Sequence, residues 1–245
     1  MNHIARQNCG GSHSVSLPLF RKIAVIGIFT LFACAAQTTV SEKSDTTLPN
    51  RAVEAAQPLG VAVLPVKNMT TIYGENTSVR SPLTGKMFIT GPVTEEAPIL
   101  LAERMVALLE EIPGYDVLPP ERTRVVYEQE LSGGPSRFLD RQSLARLGQR
   151  LGVDAVMVSH IYRFRERQGN RLAARSPASV AFDMQLVLTD RGRIVWNGHA
   201  DETQSALSED LFQIGKFIRR QGRWITAGEM TDASLSMIFE SFPSP

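Results

Sequence analysis

From Leu59 onward the chain switches between helical and strand-like spacing of its apolar residues. GVAVLPV (60–66) is a short, β-branched run closed by polar residues, too short for a helix, and it predicts a buried strand. Leu101, Met105, Leu108 and Ile112 recur every three or four residues and stop at Pro113-Gly114, which predicts a helix with one apolar face. YDVL (115–118) predicts a second short strand. Leu144, Leu147 and Leu151 mark another helix, with Asp140 placed to accept N–H groups at its start and Gly152 placed to end it.

The period then changes to two. VDAVMVSHIYRF (153–164) is apolar at its start and alternates later, and Val180, Phe182, Met184, Leu186 and Leu188 alternate with Ala181, Asp183, Gln185, Val187 and Thr189. Such alternation predicts a strand with one dry face and one wetter face. Asp190-Arg191-Gly192 is a turn signal, and RIVWNGHA (193–200) follows as the hairpin partner. Two helices close the chain: Leu207, Leu211, Ile214 and Ile218, then a segment opened by Thr226-Ala227-Gly228-Glu229 with the spacing of a capping box. The predicted fold is a single α/β domain over residues 59–245, a mixed sheet of short parallel strands followed by an antiparallel hairpin, with helices packed on it.

Upstream of Leu59 the pattern is different. Residues 1–33 hold Arg6, Arg21 and Lys22 and no acid, and Arg21-Lys22 precede the apolar run Ile23–Ala33. A positive segment before a short apolar one is the layout of a secretory signal peptide, here residues 1–33, and the run is too short to span a bilayer as a helix. Cys9 leaves with that segment, so the exported chain keeps Cys34 alone and forms no internal disulfide. Leu31-Phe32-Ala33-Cys34 resembles the bacterial lipobox, whose cysteine is acylated. Phe32 is bulkier than the usual residue there, whereas Ala33 is the small residue such cleavage wants. In the lipoproteins it resembles, Ala rather than Asp at position 35 implies sorting to the outer membrane. Residues 34–58 are rich in Thr, Ser and Ala without a sustained apolar period, and are expected to form a lipidated flexible tether.

Charge and chemistry narrow the function. The formal net charge is +1 and marks no nucleic-acid binder. Thr84-Gly85-Lys86-Met87 fails as a phosphate loop because Arg80 and Met87 stand where Gly and Ser or Thr are required. No nucleophile-elbow motif is present. Ser159 and His160 fall on opposite faces of their strand, and His160 and His199 read as lone structural or surface histidines. No catalytic, cofactor-binding or metal-ligating set is expected, and the chain reads as a non-enzyme.

Two segments are candidates for binding. Residues 69–93 make a connection far longer than compact domains use, and Tyr73, Met87, Phe88 and Ile89 give it more apolar area than a solvated linker holds. It is either a partner-binding loop anchored by those residues or, over Met87–Thr90, an edge strand of the sheet. Lys216, Arg219, Arg220, Arg223 and Trp224 form a basic cluster ending in an aromatic, either a membrane-surface contact or a solvated helix face.

Taken together, GVAVLPVKN, YDVLPPER, LGQRLGVDAVMVSHI, the alternating strand, the DRGR turn and VWNG resemble a group of bacterial envelope lipoproteins. The group comprises the curli-secretion lipoprotein, the lipoprotein activators of penicillin-binding proteins and the amino-terminal domain of the Tol propeller protein. The likeness spans most of residues 60–200 and is one of pattern. It implies a periplasm-facing module on the outer membrane that binds another envelope protein, with the membrane reached through acylated Cys34. The curli relatives imply an alternative, a structural protomer of an oligomeric secretion channel. Against it, a barrel needs spare strands of about 9 to 11 residues from each protomer, and the long alternating strands here are needed for the core.

Overall fold

The computed structural model describes residues 57–133, 137–170, 174–204 and 224–245. Cys34, the signal peptide, all of the tether before Gln57, the expected helix through Leu207–Ile218, and Lys216, Arg219, Arg220 and Arg223 lie outside the described residues. Those described all belong to one compact unit.

The strand β1 (Leu59–Val63) is followed by the two-residue β2 (Lys67–Asn68), a single turn α1 (Thr70–Tyr73), and the strands β3 (Ser78–Arg80) and β4 (Met87–Ile89). Then come α2 (Ala97–Glu110), β5 (Tyr115–Leu118), α3 (Pro120–Ser132) and α4 (Arg141–Leu151). The chain continues through the long β6 (Ala155–Arg165), a small pair β7 (Gln168–Gly169) and β8 (Ala174–Ser176), the long hairpin β9 (Ser179–Leu188) and β10 (Ile194–Thr203), and α5 (Ala227–Phe239). The main sheet has the order β10-β9-β6-β1-β5, with β2 added beside β6. Pairing of β1 with β5 and β6 is parallel, and of β9 with β6 and β10 antiparallel. The mixed α/β sheet is therefore the one the sequence predicts.

Both faces of this sheet are covered. Met157, Ile161, Phe182, Met184 and Leu186 join Leu101, Met105 and Leu109 of α2 and Met230, Leu235 and Ile238 of α5 in one apolar layer. On the opposite face, Val156, Val158 and Val187 pack on Leu144 and Leu147 of α4 and Tyr127 of α3. Trp196 closes the outer end of the first layer against Phe239 and Phe242, with ring centroids 5.6 and 4.8 Å away.

Three expectations are corrected here. The helix α3 was not foreseen: its buried stripe is Pro120, Thr123 and Tyr127, polar or atypical residues that carry little hydropathy signal. Thr123 makes sense only in three dimensions, donating its hydroxyl to the Val63 carbonyl at 2.8 Å. Next, β9 has no wet face, since all of its residues are buried. Finally, Met87–Thr90 does not form an edge strand of the main sheet: among the described residues β4 pairs with β3, and within residues 69–93 the bridge to the main sheet is that of Val93 to Phe164 of β6.

Candidate functional site

The excursion between β1 and α2 is tied down by its threonines. Thr70 donates its hydroxyl to the carbonyls of Gly91 and Tyr162, at 2.9 and 3.1 Å. Thr90 accepts the Thr77 amide and donates to the Thr77 carbonyl, closing the hairpin base. Arg163 of β6 reaches up to the Ile89 carbonyl at 2.9 Å while its other nitrogens hold Ser179 and Asp201. Gly91 is required here, because a Cβ at that position would sit 2.8 Å from the Arg163 stem.

Strand alternation then divides the hairpin. Val79 and Phe88 point to the sheet, whereas Ser78, Arg80, Met87 and Ile89 point outward, with Arg80 opposite Met87 and Ser78 opposite Ile89. Phe88 is buried and stacks on Tyr162 at 4.1 Å with 12° between the rings. It is therefore not an exposed anchor, contrary to the expectation, because period two turns the central residue of a three-residue strand inward. Met87 and Ile89 remain 45% and 56% exposed. Tyr73 is 43% exposed and lies parallel to Phe138 at 6.3 Å, so its ring has one packed and one open side. Trp224 is partly buried at the start of the last described segment.

Beneath the hairpin lies a polar row that the sequence did not reveal. The register sets His160 of β6 and His199 of β10 on either side of Asp183 of β9. His160 Nδ1 donates to Asp183 Oδ1 at 2.9 Å, with both side chains buried. The second carboxylate oxygen of Asp183 and both amide atoms of Gln185 have no protein hydrogen-bond partner among the described residues. Burial, followed by the Lys86 charge, pushes His199 down to about 4. Burial likewise lowers Lys86, opposed by Asp201 and Asp183. The Tyr162 phenol is raised, first by burial and then by the Asp183 charge. The advance signal was parity: His160 and Asp183 are polar residues that interrupt mostly apolar stretches of β6 and β9. Ser159 faces the opposite side, donating to Met105 Sδ at 3.2 Å, so no serine stands beside His160 as a nucleophile. Among the described residues no group of three His, Cys, Asp or Glu is arranged to hold a metal ion. None of the described helices is long and apolar enough to cross a membrane.

No protein-family model matches this chain. No curated protein matches it. Among solved structures it is similar to the PelC dodecamer of Paraburkholderia phytofirmans, at 11% identity and a TM-score of 0.45, over 84% of this chain and 95% of that one. It is similar to the lipoprotein GNA1162 of Neisseria meningitidis, at 18% identity and a TM-score of 0.36, over 66% of this chain and 93% of that one. It is also similar to the C-terminal domain of LpoB from Escherichia coli, at 18% identity and a TM-score of 0.33, over 63% of this chain and 90% of that one. Of these, GNA1162 is a lipoprotein, the class that the sequence pattern resembles. At such scores they assign this chain neither an assembly nor a partner.

Proposed function

We propose that this protein is an outer-membrane-anchored, periplasm-facing lipoprotein that acts without catalysis, as a binding or accessory module in cell-envelope assembly or secretion. The observation that carries the reading is the order of segments: a positive and then apolar stretch ends in Leu31-Phe32-Ala33-Cys34, and the folded sheet begins at Leu59. Between them residues 35–58 give the domain reach from the membrane surface, about 25 Å root-mean-square if they behave as a flexible coil. The binding face of the module is the outward side of the β3–β4 hairpin, where Met87 and Ile89 stand exposed.

Metabolic labelling with an alkyne palmitate analogue tests the anchor. The wild-type chain is expected to carry the label into the outer-membrane fraction, and Cys34→Ala to carry none. A labelled Cys34→Ala chain, or label recovered with the inner membrane, overturns the assignment. For the hairpin, a photo-crosslinking side chain at position 87 or 89 is expected to trap one discrete envelope protein in intact cells, whereas the same group at exposed Met237 of α5 traps none.

A further inference from the structure

A second surface, away from the hairpin, has a composition that selects its ligand. The helix α2 carries more apolar residues than the core uses. Leu101, Met105 and Leu109 lie deep in the apolar layer, Ala102 and Val106 at its margin, and these last two form with Ile99 one wall of a cleft of about 290 Å³. Pro65 and Val66, just past β1, line the cleft, and Pro119 and Pro120 at the start of α3 complete it. Ile99 is 57% exposed there.

The cleft lies past the carboxyl ends of the parallel strands β1 and β5, beside the first turns of α2 and α3. In α/β sheets that position commonly serves anions, which bind the free N–H groups of helix starts. Here several of those donors are lost. Pro98 and Pro120 have no N–H, and the amides of Ala97 and Arg122 already donate to the carbonyls of Thr94 and Pro119. The rim carries Glu103, Glu110 and Glu121 against Arg124 alone. None of these three carboxylates is ion-paired among the described residues, and Arg104 turns away to Asp232. An anion is therefore repelled, while an apolar ligand with flanking positive charge is matched on both counts.

We propose that the α2–α3 cleft docks a polypeptide segment in which apolar side chains are flanked by lysine or arginine. From Pro98 to Glu110 the helix rises about 18 Å, which accommodates about five residues of extended chain. The cleft volume suits one or two large aliphatic or aromatic side chains, near the lower end of ligand pockets. This surface is independent of Cys34 and of the hairpin.

The test uses the full chain in phosphatidylcholine nanodiscs and a fluorescein-labelled heptapeptide, Leu-Phe-Leu flanked by two lysines on each side, followed by fluorescence anisotropy. Saturable binding is expected with the full chain and not with empty nanodiscs. It should weaken at least about ten-fold, or about 1.4 kcal/mol, in Ile99→Asp and in the pair Glu103→Lys with Glu121→Lys. Both sets of substitutions are at exposed positions, and circular dichroism melting checks that the fold is retained. A peptide with glutamates in place of the lysines is expected not to bind. No saturation by millimolar lysine peptide, equal binding of the glutamate peptide, or unchanged binding in Ile99→Asp each overturns the proposal.

Discussion

Phe88 and Met87 are neighbours with opposite duties, and single substitutions separate them. Removing the Phe88 ring leaves a void against Tyr162, so Phe88→Ala is expected to cost about 3–5 kcal/mol and to lower the melting temperature by roughly 6–20 °C. Met87→Ala, at an exposed position, should leave it within about 2 °C. Thermal melts followed by circular dichroism decide this; equal shifts would mean that the two side chains share one environment. His199 gives a pH dependence at the same scale. Its folded value of about 4 lies below the ordinary histidine value near 6.5, so between these limits the unfolded chain binds the extra proton. Stability therefore falls as pH drops from about 6.5 towards 4. Urea midpoints at pH 7 and pH 5 should show this loss, and His199→Gln should make it smaller.

At the scale of elements, α4 and α5 announced themselves by their capped ends and α2 by its apolar period. Asp140 accepts the Ser143 amide at 2.8 Å, Gly152 adopts φ 70°, and Thr226 and Glu229 exchange the two bonds of a capping box. Asp140→Ala should cost about 1 kcal/mol, read from urea denaturation, because it strands an N–H of the first turn. The helix α3 has no side-chain cap at its start and a stripe of Pro, Thr and Tyr, so neither its end nor its face was visible before Val63 supplied the partner of Thr123. The hairpin escaped for a related reason. Three-residue strands are too short to establish a period, and their pairing across Pro82 and Gly85 depends on threonine bonds formed with distant segments. In α2 the core face was legible at Leu101 and Met105, although Leu109 rather than Leu108 is fully buried. Its second apolar stripe was legible only as surplus, since nothing in a linear pattern says what Pro119 and Pro120 will face.

For the whole molecule, the order of layers follows from the sequence while the juxtapositions do not. A chain beginning at Gln57 should fold with a single cooperative transition, since every core residue found lies beyond it. A melting temperature within a few degrees of the full chain is expected by calorimetry; a loss comparable to Phe88→Ala would make the preceding segment part of the fold. The chemistry on the central sheet face needed the structure, because His160, Asp183 and His199 come together through pairings 16 and more residues apart that no local spacing reveals.

The polar row also acts as an error check on assembly. Long β-strands rich in Val, Leu and Met have many alignments of similar energy, and a slip of one residue exchanges their two faces. In β9 such a slip would carry Asp183 and Gln185 into the oily layer under α2 and α5, and would bring Phe182 and Met184 up against His160 and Lys86. An unpaired carboxylate in that layer costs several kcal/mol, enough to disfavour the misaligned sheet. The imperfectly paired polar atoms of Asp183 and Gln185 thus trade some stability for a single permitted alignment.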